Sequence, residues 1–450
     1  MATMLPIVFA IAGTAFIAVG LGVARGQDGR RFANPICLFL ISYGCLYFLA
    51  PALLIGAGRF RHATVYSESS LANALLYLLL FGVAVLIGYY LAGGNIQYAR
   101  FRQRPSGLWK PTPRVTLLSI AIVVLVPALI SVAALISKIA QYGYGAFLAN
   151  RIVLETGEGY FSMLRRWPLV LLLVVYTRGL VLRRYYGQRQ PIIIIALLLV
   201  LTIIIGALNG SRTEIAMPFV MMAACYTVFS KVSRIPLAKL VMVGVMIFVA
   251  VLLGEIRQQL MSGVGIDIRE AAKGSTVVNL AYNFGEYENL VWMMDRPDAF
   301  QYLHGRTFAA AVVGWVPRRA WPDKPLGGGP YLRNFIIPGS YDLRGHNITS
   351  YTPGLPAEAY MNFGWFGLFV ALLYGVGLAL LARWINRIAG PLTYVCWWSI
   401  MFGMLLYLRG EFFGVTARVF MMVVPLVIGM VVAGIVSNLG KTAAPTYQRV

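Results

Sequence analysis

Hydrophobic residues along this chain come in long uninterrupted runs separated by short polar clusters. Runs near the ~20 residues needed to cross a hydrocarbon core occupy 4–24, 35–57, 71–92, 115–137, 163–183, 191–208, 213–230, 236–254, 363–382, 391–408 and 415–437. Each predicts a membrane-spanning helix, about eleven in all with a range of ten to twelve, so the expected fold class is all-α integral membrane protein. Eight spans fall in 1–254 and three, with a short tail, in 362–450. Between them lies 255–361, too polar and too rich in proline and glycine to cross a bilayer. This large loop holds two stretches, 275–294 and 307–316, apolar enough for short amphipathic or re-entrant helices. Non-helical backbone at membrane depth is tolerated only where protein or a water-filled cavity satisfies it.

Composition agrees with the pattern: 59% of residues are hydrophobic and 12% charged, against a soluble average of about 25% charged. The first run has neither a basic leader nor a small-residue cleavage site, so it is expected to stay as a helix. There is no soluble domain, low-complexity tract or internal repeat. Short cytoplasmic loops concentrate Lys and Arg, which assigns 24–34, 93–114, 178–190, 231–239, 383–390 and 438–450 to the cytoplasm. The N-terminus is then outside and the C-terminus inside. Of the 16 acidic residues, Asp28 alone falls on the cytoplasmic side; the others, from Glu68 to Glu411, interleave with basic residues on the outer face. Chemistry or recognition is therefore assigned to the outer face. The net charge of +22 is a topology signal, and no nucleic-acid partner is expected.

Several chemistries lack their residues. Cys37, Cys45, Cys225 and Cys396 sit inside predicted helices without CxxC spacing and read as packing residues. His62, His304 and His346 are scattered, so no metal site is expected. No phosphate-cradling GxxxxGK[ST] loop occurs, and Gly327-Gly328-Gly329 is followed by proline instead of a helix start. No cofactor is expected.

Four outer-face elements could carry chemistry. The link Asn209-Gly210-Ser211-Arg212-Thr213-Glu214 puts Arg212 in the first turn of a helix, where the dipole disfavours a cation. Arg212 either snorkels to the interface or joins the helix amides in binding a phosphate oxygen. In Pro317-Arg318-Arg319-Ala320-Trp321-Pro322-Asp323-Lys324-Pro325, prolines stiffen the backbone that aims Arg318, Arg319 and Lys324. Paired guanidinium forks suit a diphosphate; the plainer reading is a solvated basic turn. Glu358 and Asn362, spaced i, i+4, share one face of the helix entering the ninth span, with Gly364 and Gly367 beyond to admit a close neighbour. Glu358 either complements the helix dipole or takes a proton from a sugar hydroxyl that Asn362 orients. Finally, Leu408-Arg409-Gly410-Glu411-Phe412 turns between the last two spans, and Arg418 lies inside the second of them. Ionisable groups at that depth usually face an interior cavity.

Taken together and in this order, Gly210-Ser211-Arg212, Pro317-Arg318 with Trp321-Pro322-Asp323-Lys324-Pro325, Glu358 through Gly367, and Arg409-Gly410 resemble the Wzy-type O-antigen polymerases, the oligosaccharide repeat-unit polymerases. The matching stretches span about half the chain; the first 200 residues match only in hydropathy. The resemblance implies an inner-membrane glycosyltransferase of the GT-C class. Its donor and acceptor are undecaprenyl-diphosphate-linked oligosaccharides, and a chain-length regulator protein is a partner to expect. It implies that Arg212, Arg318 and Arg409 bind diphosphate and that Glu358 with Asn362 matches the family's helix entry. Chemistry adds Arg319, Lys324, Glu411 and Arg418 as substrate-binding residues, with Glu411 the second choice to Glu358 for activating the acceptor hydroxyl. One departure is the odd span count, since an even number with both termini cytoplasmic is more usual in the family. The rival readings are an O-antigen ligase, which shares the carrier, a flippase for the same lipid-linked sugar, and a membrane scaffold. The flippase would need cations within the spans, where most positions are apolar, and a scaffold has no use for Arg418.

Overall fold

The structure is a computed structural model that describes residues 4–25, 34–63, 65–94, 112–154, 159–229, 259, 281–282, 284–314, 316, 320–341, 350–385, 387–388 and 390–442. Among the described residues every regular element is helical. Six helices are long and apolar enough to cross a membrane: Leu5–Val23, Pro35–Gly56, Glu68–Leu91, Arg114–Tyr142, Leu355–Ile385 and Phe412–Val436. Shorter apolar helices occupy Ile192–Leu208, Thr213–Tyr226 and Pro391–Tyr407, and a further helix covers Trp167–Tyr186. The run 236–254 lies outside the described residues. The chain divides into two compact units, one of Met1–Gln103, Asp267–Arg387 and Ile400–Arg418, the other of Arg104–Ile266, Ile388–Ser399 and Val419–Val450.

The first unit is built on an aromatic core. Phe16, Phe39, Tyr43, Phe48 and Phe81 are buried and ring-packed on one another, and Tyr43 donates to the Leu78 carbonyl at 2.7 Å. The Pro35–Gly44 helix starts on Asn34, whose side chain accepts from the Ile36 amide, with proline in its first turn. It continues through a π-helical turn at Cys45–Leu49 into Ala50–Gly56, a register change that rotates the following residues on the same axis. Cys45 lies on that turn and is exposed, while Cys37, Cys225 and Cys396 are buried; the packing role expected of all four cysteines fails for Cys45. Glu68–Leu91 is capped by Ser67 and packs against Leu368–Ile385 through glycines. A Cβ on Gly88 would strike the Leu372 carbonyl oxygen and one on Gly375 the Val85 carbonyl oxygen. Small residues at membrane helix contacts allow this backbone approach.

Leu355–Ile385 is not one straight rod. Gly364, at φ +59, ends a short helix Leu355–Phe363, and a 3₁₀ turn Gly364–Gly367 leads into Leu368–Ile385. Gly367 lies against the Tyr77 hydroxyl and Ala359, the close approach its sequence suggested. In the large loop, helices form at Tyr287–Asp295 and Arg306–Val313, and another at Gly328–Ile336. The last corrects the sequence reading of Gly327-Gly328-Gly329. Pro330 lies in the first turn, where its missing N–H removes no intrahelical bond.

In the second unit, Ile192–Leu208 and Arg212–Phe229 form a hairpin. Gly210 takes φ +58, and its amide and that of Ser211 return to the carbonyls of Ala207 and Gly206. Leu135, Phe147 and Leu148 bury one another with Leu208 packed alongside, and the Tyr144 hydroxyl donates to the Ala207 carbonyl at 2.6 Å. The segment 138–154 thus folds onto the hairpin end.

Candidate functional site

Polar side chains gather in each unit, and each cluster is taken by itself. In the first, three turns converge. Gly354, at φ +73, precedes the Leu355–Phe363 helix, and a Cβ there would collide with the Tyr47 hydroxyl and the Leu408 carbonyl oxygen. Tyr47 donates to that carbonyl, which fixes the Leu408–Glu411 turn over the helix start. Glu358 then accepts from the Phe412 amide at 2.7 Å through Oε2, and Glu411 accepts from the Gly329 amide at 2.7 Å through Oε2. Both carboxylates therefore sit on the N-terminal amides of helices, positions that attract anions. Those two anion sites are filled by the protein's own side chains.

Glu358 is 0% exposed, and its Oε1 has no hydrogen-bond partner. The glycines explain how it fits. A Cβ on Gly328 would come within 2.8 Å of Glu358 Oε1, and one on Gly327 within 2.6 Å of Glu411 Oε2. The Gly327–Gly329 segment is glycine because two carboxyl groups lie against it. Glu411 is only partly buried; burial pushes its carboxyl above the usual carboxylate range, opposed by the Gly329 amide and the Arg418 charge.

The cations of this unit have different surroundings. Arg409 is 44% exposed at its side chain, pairs through Nε with the buried Glu286 at 3.1 Å and lies over the Phe284 ring. Arg418, in the Phe412–Thr442 helix, is also exposed. Lys324 donates to the carbonyls of Gly314 and Val316 at 2.9 and 2.7 Å, closing the end of the Arg306–Val313 helix. Its ammonium is thus engaged with backbone. Asn362 is fully buried; its amide nitrogen donates to Thr307 Oγ1 and to the Glu358 carbonyl, each at 2.8 Å. Its amide nitrogen is thus engaged within the protein, while its Oδ1 is buried with no hydrogen-bond partner. Arg318 and Arg319 lie outside the described residues.

The hydropathy pattern also hid the support of this cluster. Glu288 is buried and accepts from the amides of Arg61 and His62 and from the Tyr66 hydroxyl. Asn289 links His62 Nε2 at 3.0 Å to the carbonyl of Thr352 at 2.8 Å. Burial, with the Arg61 charge, lowers the His62 pKa from its ordinary value despite opposing contributions from Glu288 and Asn289. The first spans looked like plain scaffold, yet the segment after the second one anchors the loop that leads to Glu358. The only signal was polar residues between two apolar runs.

The second unit's cluster is arginine-rich. Arg165, 2% exposed, donates to Asn209 Oδ1 at 2.8 Å and to Ser131 Oγ at 3.2 Å. Asn209 Nδ2 donates to Glu214 Oε2 at 2.7 Å, and Glu214 Oε1 takes Arg166 Nε and a second guanidinium nitrogen, each at 2.7 Å. Arg212 opens the helix beside them; its side chain lies outside the described residues. Arg165 and Arg166 escaped the sequence reading, although they are charged residues in the first turn of the predicted span 163–183.

Glu358, Asn362, Arg409 and Glu411 are therefore gathered in the first unit, whereas Arg212 belongs to the second. The first cluster offers one unpaired buried carboxylate oxygen, a second carboxylate tuned upward and an exposed guanidinium. That inventory suits proton transfer beside an anionic leaving group.

The family described as O-antigen polysaccharide polymerase Wzy matches residues 29–327, most of the chain. The range includes Arg165, Arg166, Arg212, Glu214 and Thr307 and stops before Glu358 and Arg409. No curated protein and no solved structure matches the chain.

Proposed function

The chain belongs to the O-antigen polysaccharide polymerase Wzy family, and from that premise we propose that it joins oligosaccharide repeat units carried on undecaprenyl diphosphate. The reaction is assigned to the periplasmic face of the inner membrane, in a GT-C-like body of about eleven spans with one large periplasmic loop. A hydroxyl of the incoming unit attacks the anomeric carbon of the growing glycan. The new glycosidic bond forms as the bond from that carbon to the diphosphate oxygen breaks, and the hydroxyl proton passes to a carboxylate. Undecaprenyl diphosphate leaves, and its developing charge is the quantity an enzyme of this kind must stabilise.

The observation that carries the residue roles is Glu358, held through Oε2 by the Phe412 amide with Oε1 unpaired. Buried polar atoms are almost always hydrogen-bonded, so a bare, fixed carboxylate oxygen is a base set out for a proton. The Gly327–Gly329 segment covers it, and the acceptor hydroxyl reaches Oε1 when that segment gives way. Arg409 and Arg418 are assigned to the diphosphate; the same role for Arg212, Arg318 and Arg319 rests on the sequence alone. Glu411 sits beside the leaving group with its pKa raised. Lys324 and Asn362 shape the walls, and a chain-length regulator would act from outside this constellation.

The test supplies purified protein in proteoliposomes with two differently tagged lipid-linked repeat units. Products carrying both tags are expected; their absence, with transfer only to a lipid A core acceptor, would replace polymerisation by ligation. Arg409→Ala in the same assay should slow joining, and unchanged product length and rate would remove that residue from the reaction.

A further inference from the structure

The turn closed by the Phe284 amide on the Ala281 carbonyl, at 2.8 Å, carries two arginines from distant parts of the chain. Arg409 lies over the Phe284 ring, 4.9 Å from its centroid, and pairs through Nε with Glu286 at 3.1 Å. Arg61, from the segment after the second span, lies over the Tyr282 ring at 5.1 Å and donates through Nη2 to the Tyr282 carbonyl. A Cβ on Gly285 would come within 2.9 Å of Arg61 Nε and 3.0 Å of its Cζ. The two guanidinium groups therefore rest on successive residues, Gly285 and Glu286.

Their charges are met differently. Glu286 is buried and holds Arg409 by one edge. Glu288, also buried, spends its carboxyl on the amides of Arg61 and His62 and on the Tyr66 hydroxyl. The Arg61 guanidinium takes a carbonyl and a ring, and no carboxylate among the described residues. It is partly buried, beside a Tyr282 that is itself exposed. A ring under a guanidinium fixes its plane and leaves the in-plane N–H groups to a ligand, and a planar fork suits phosphate oxygens. Like charges set on one turn repel, and an anion shared between them relieves that cost. A strap that only tied Arg61 to the Tyr282 carbonyl would need a donor and no charge.

We propose that Arg61 is a second diphosphate-binding residue, sharing with Arg409 the phosphate oxygens of the lipid-linked substrate. The inference rests on the assignment of Arg409 to the diphosphate. It adds a binding residue from the segment between the second and third spans, and it gives Gly285 a reason, since a side chain there would displace the Arg61 guanidinium.

Arg61→Gln keeps a donor for the Tyr282 carbonyl and removes the charge; Arg61→Lys keeps the charge without the fork. In phosphatidylcholine proteoliposomes, Arg61→Gln should lower kcat/KM for the lipid-linked substrate by about tenfold to a hundredfold, the scale of a lost charge-assisted hydrogen bond. Inhibition by added undecaprenyl diphosphate should weaken by a similar factor, and Arg61→Lys should recover part of both. Arg61→Gln combined with Arg409→Gln should lose less than the product of the two single losses, because one anion is shared. Should glutamine lower the melting temperature in detergent, Gly285→Ala, which displaces the guanidinium with its charge intact, takes its place and should weaken the same inhibition. Wild-type inhibition in Arg61→Gln, or single losses that simply multiply, would overturn the shared site. A loss seen only when phosphatidylglycerol is added to the vesicles would assign Arg61 to a lipid headgroup and overturn it as well. If Arg409→Gln weakens inhibition while Arg61→Gln does not, only the role of Arg61 falls. If Arg409→Gln joins and is inhibited like wild type, the diphosphate assignment of this turn falls and Arg61 with it.

Discussion

The two polar clusters put charged side chains at the ends of apolar helices and satisfy them differently. In the second unit, Arg165, Asn209, Glu214 and Arg166 hand hydrogen bonds from one to the next, a buried network of the kind that fixes one conformation. In the first, Glu286 and Glu288 are bonded, whereas Glu358 keeps one oxygen bare at zero exposure. A satisfied network holds shape. A cluster that leaves Glu358 Oε1 and Asn362 Oδ1 unpaired, and sets glycines against the carboxylate, has acceptors free for something to arrive.

This contrast is tested most severely at its two centres. Glu358→Gln should lower joining by about 10²- to 10⁴-fold, the usual contribution of a general base, with the melting temperature almost unchanged. Wild-type rates would dissolve the distinction between the clusters. Arg165→Ala should do the reverse. Asn209 Oδ1 loses a buried donor, and unfolding in detergent should show a loss of about 2–4 kcal/mol, with the turnover of surviving folded protein near normal. A selective loss of kcat there would make the second cluster part of the chemistry.

Smaller effects sharpen the picture. Gly328→Ala places a methyl against Glu358 Oε1 and should reduce turnover by about tenfold through displacement of the carboxyl; an unaffected rate would mean the glycine segment does not border the working oxygen. The smallest effect concerns His62. Its folded pKa is lowered, chiefly by burial, so unfolded chains take up the proton first as pH falls. Stability from this group is complete above the unfolded value of about 6.5 and is lost as pH drops through the folded value. Melting temperatures between pH 5 and 8 should fall less steeply on the acid side for His62→Gln than for wild type; identical slopes would assign that acid sensitivity to other groups.

Much of this was legible one residue at a time. Long apolar runs announce helices because length and hydropathy are local properties. The turn at Arg409 and the glycines at 364 and 367 could be picked out because polar or small residues interrupt such runs. The misreadings have a common cause. Gly327-Gly328-Gly329 suggested a loop, since nothing nearby in sequence reveals that two carboxyl groups lie against it. Charge and spacing singled out Lys324 and Asn362 but could not show that Lys324 Nζ meets the Gly314 and Val316 carbonyls or that Asn362 Nδ2 meets Thr307. Arg61, His62 and Glu288 went unnoticed, as more than 220 residues separate the two sides of that contact.

By itself, then, the sequence determined an all-helical membrane protein, the polar turns between its apolar runs and a resemblance to the family whose match covers residues 29–327. Hydropathy and short motifs suffice for that. Only the tertiary structure decided which carboxylate is bonded and which oxygen is left bare. Satisfaction of a buried polar group depends on partners that packing brings from distant parts of the chain, and no local pattern encodes them.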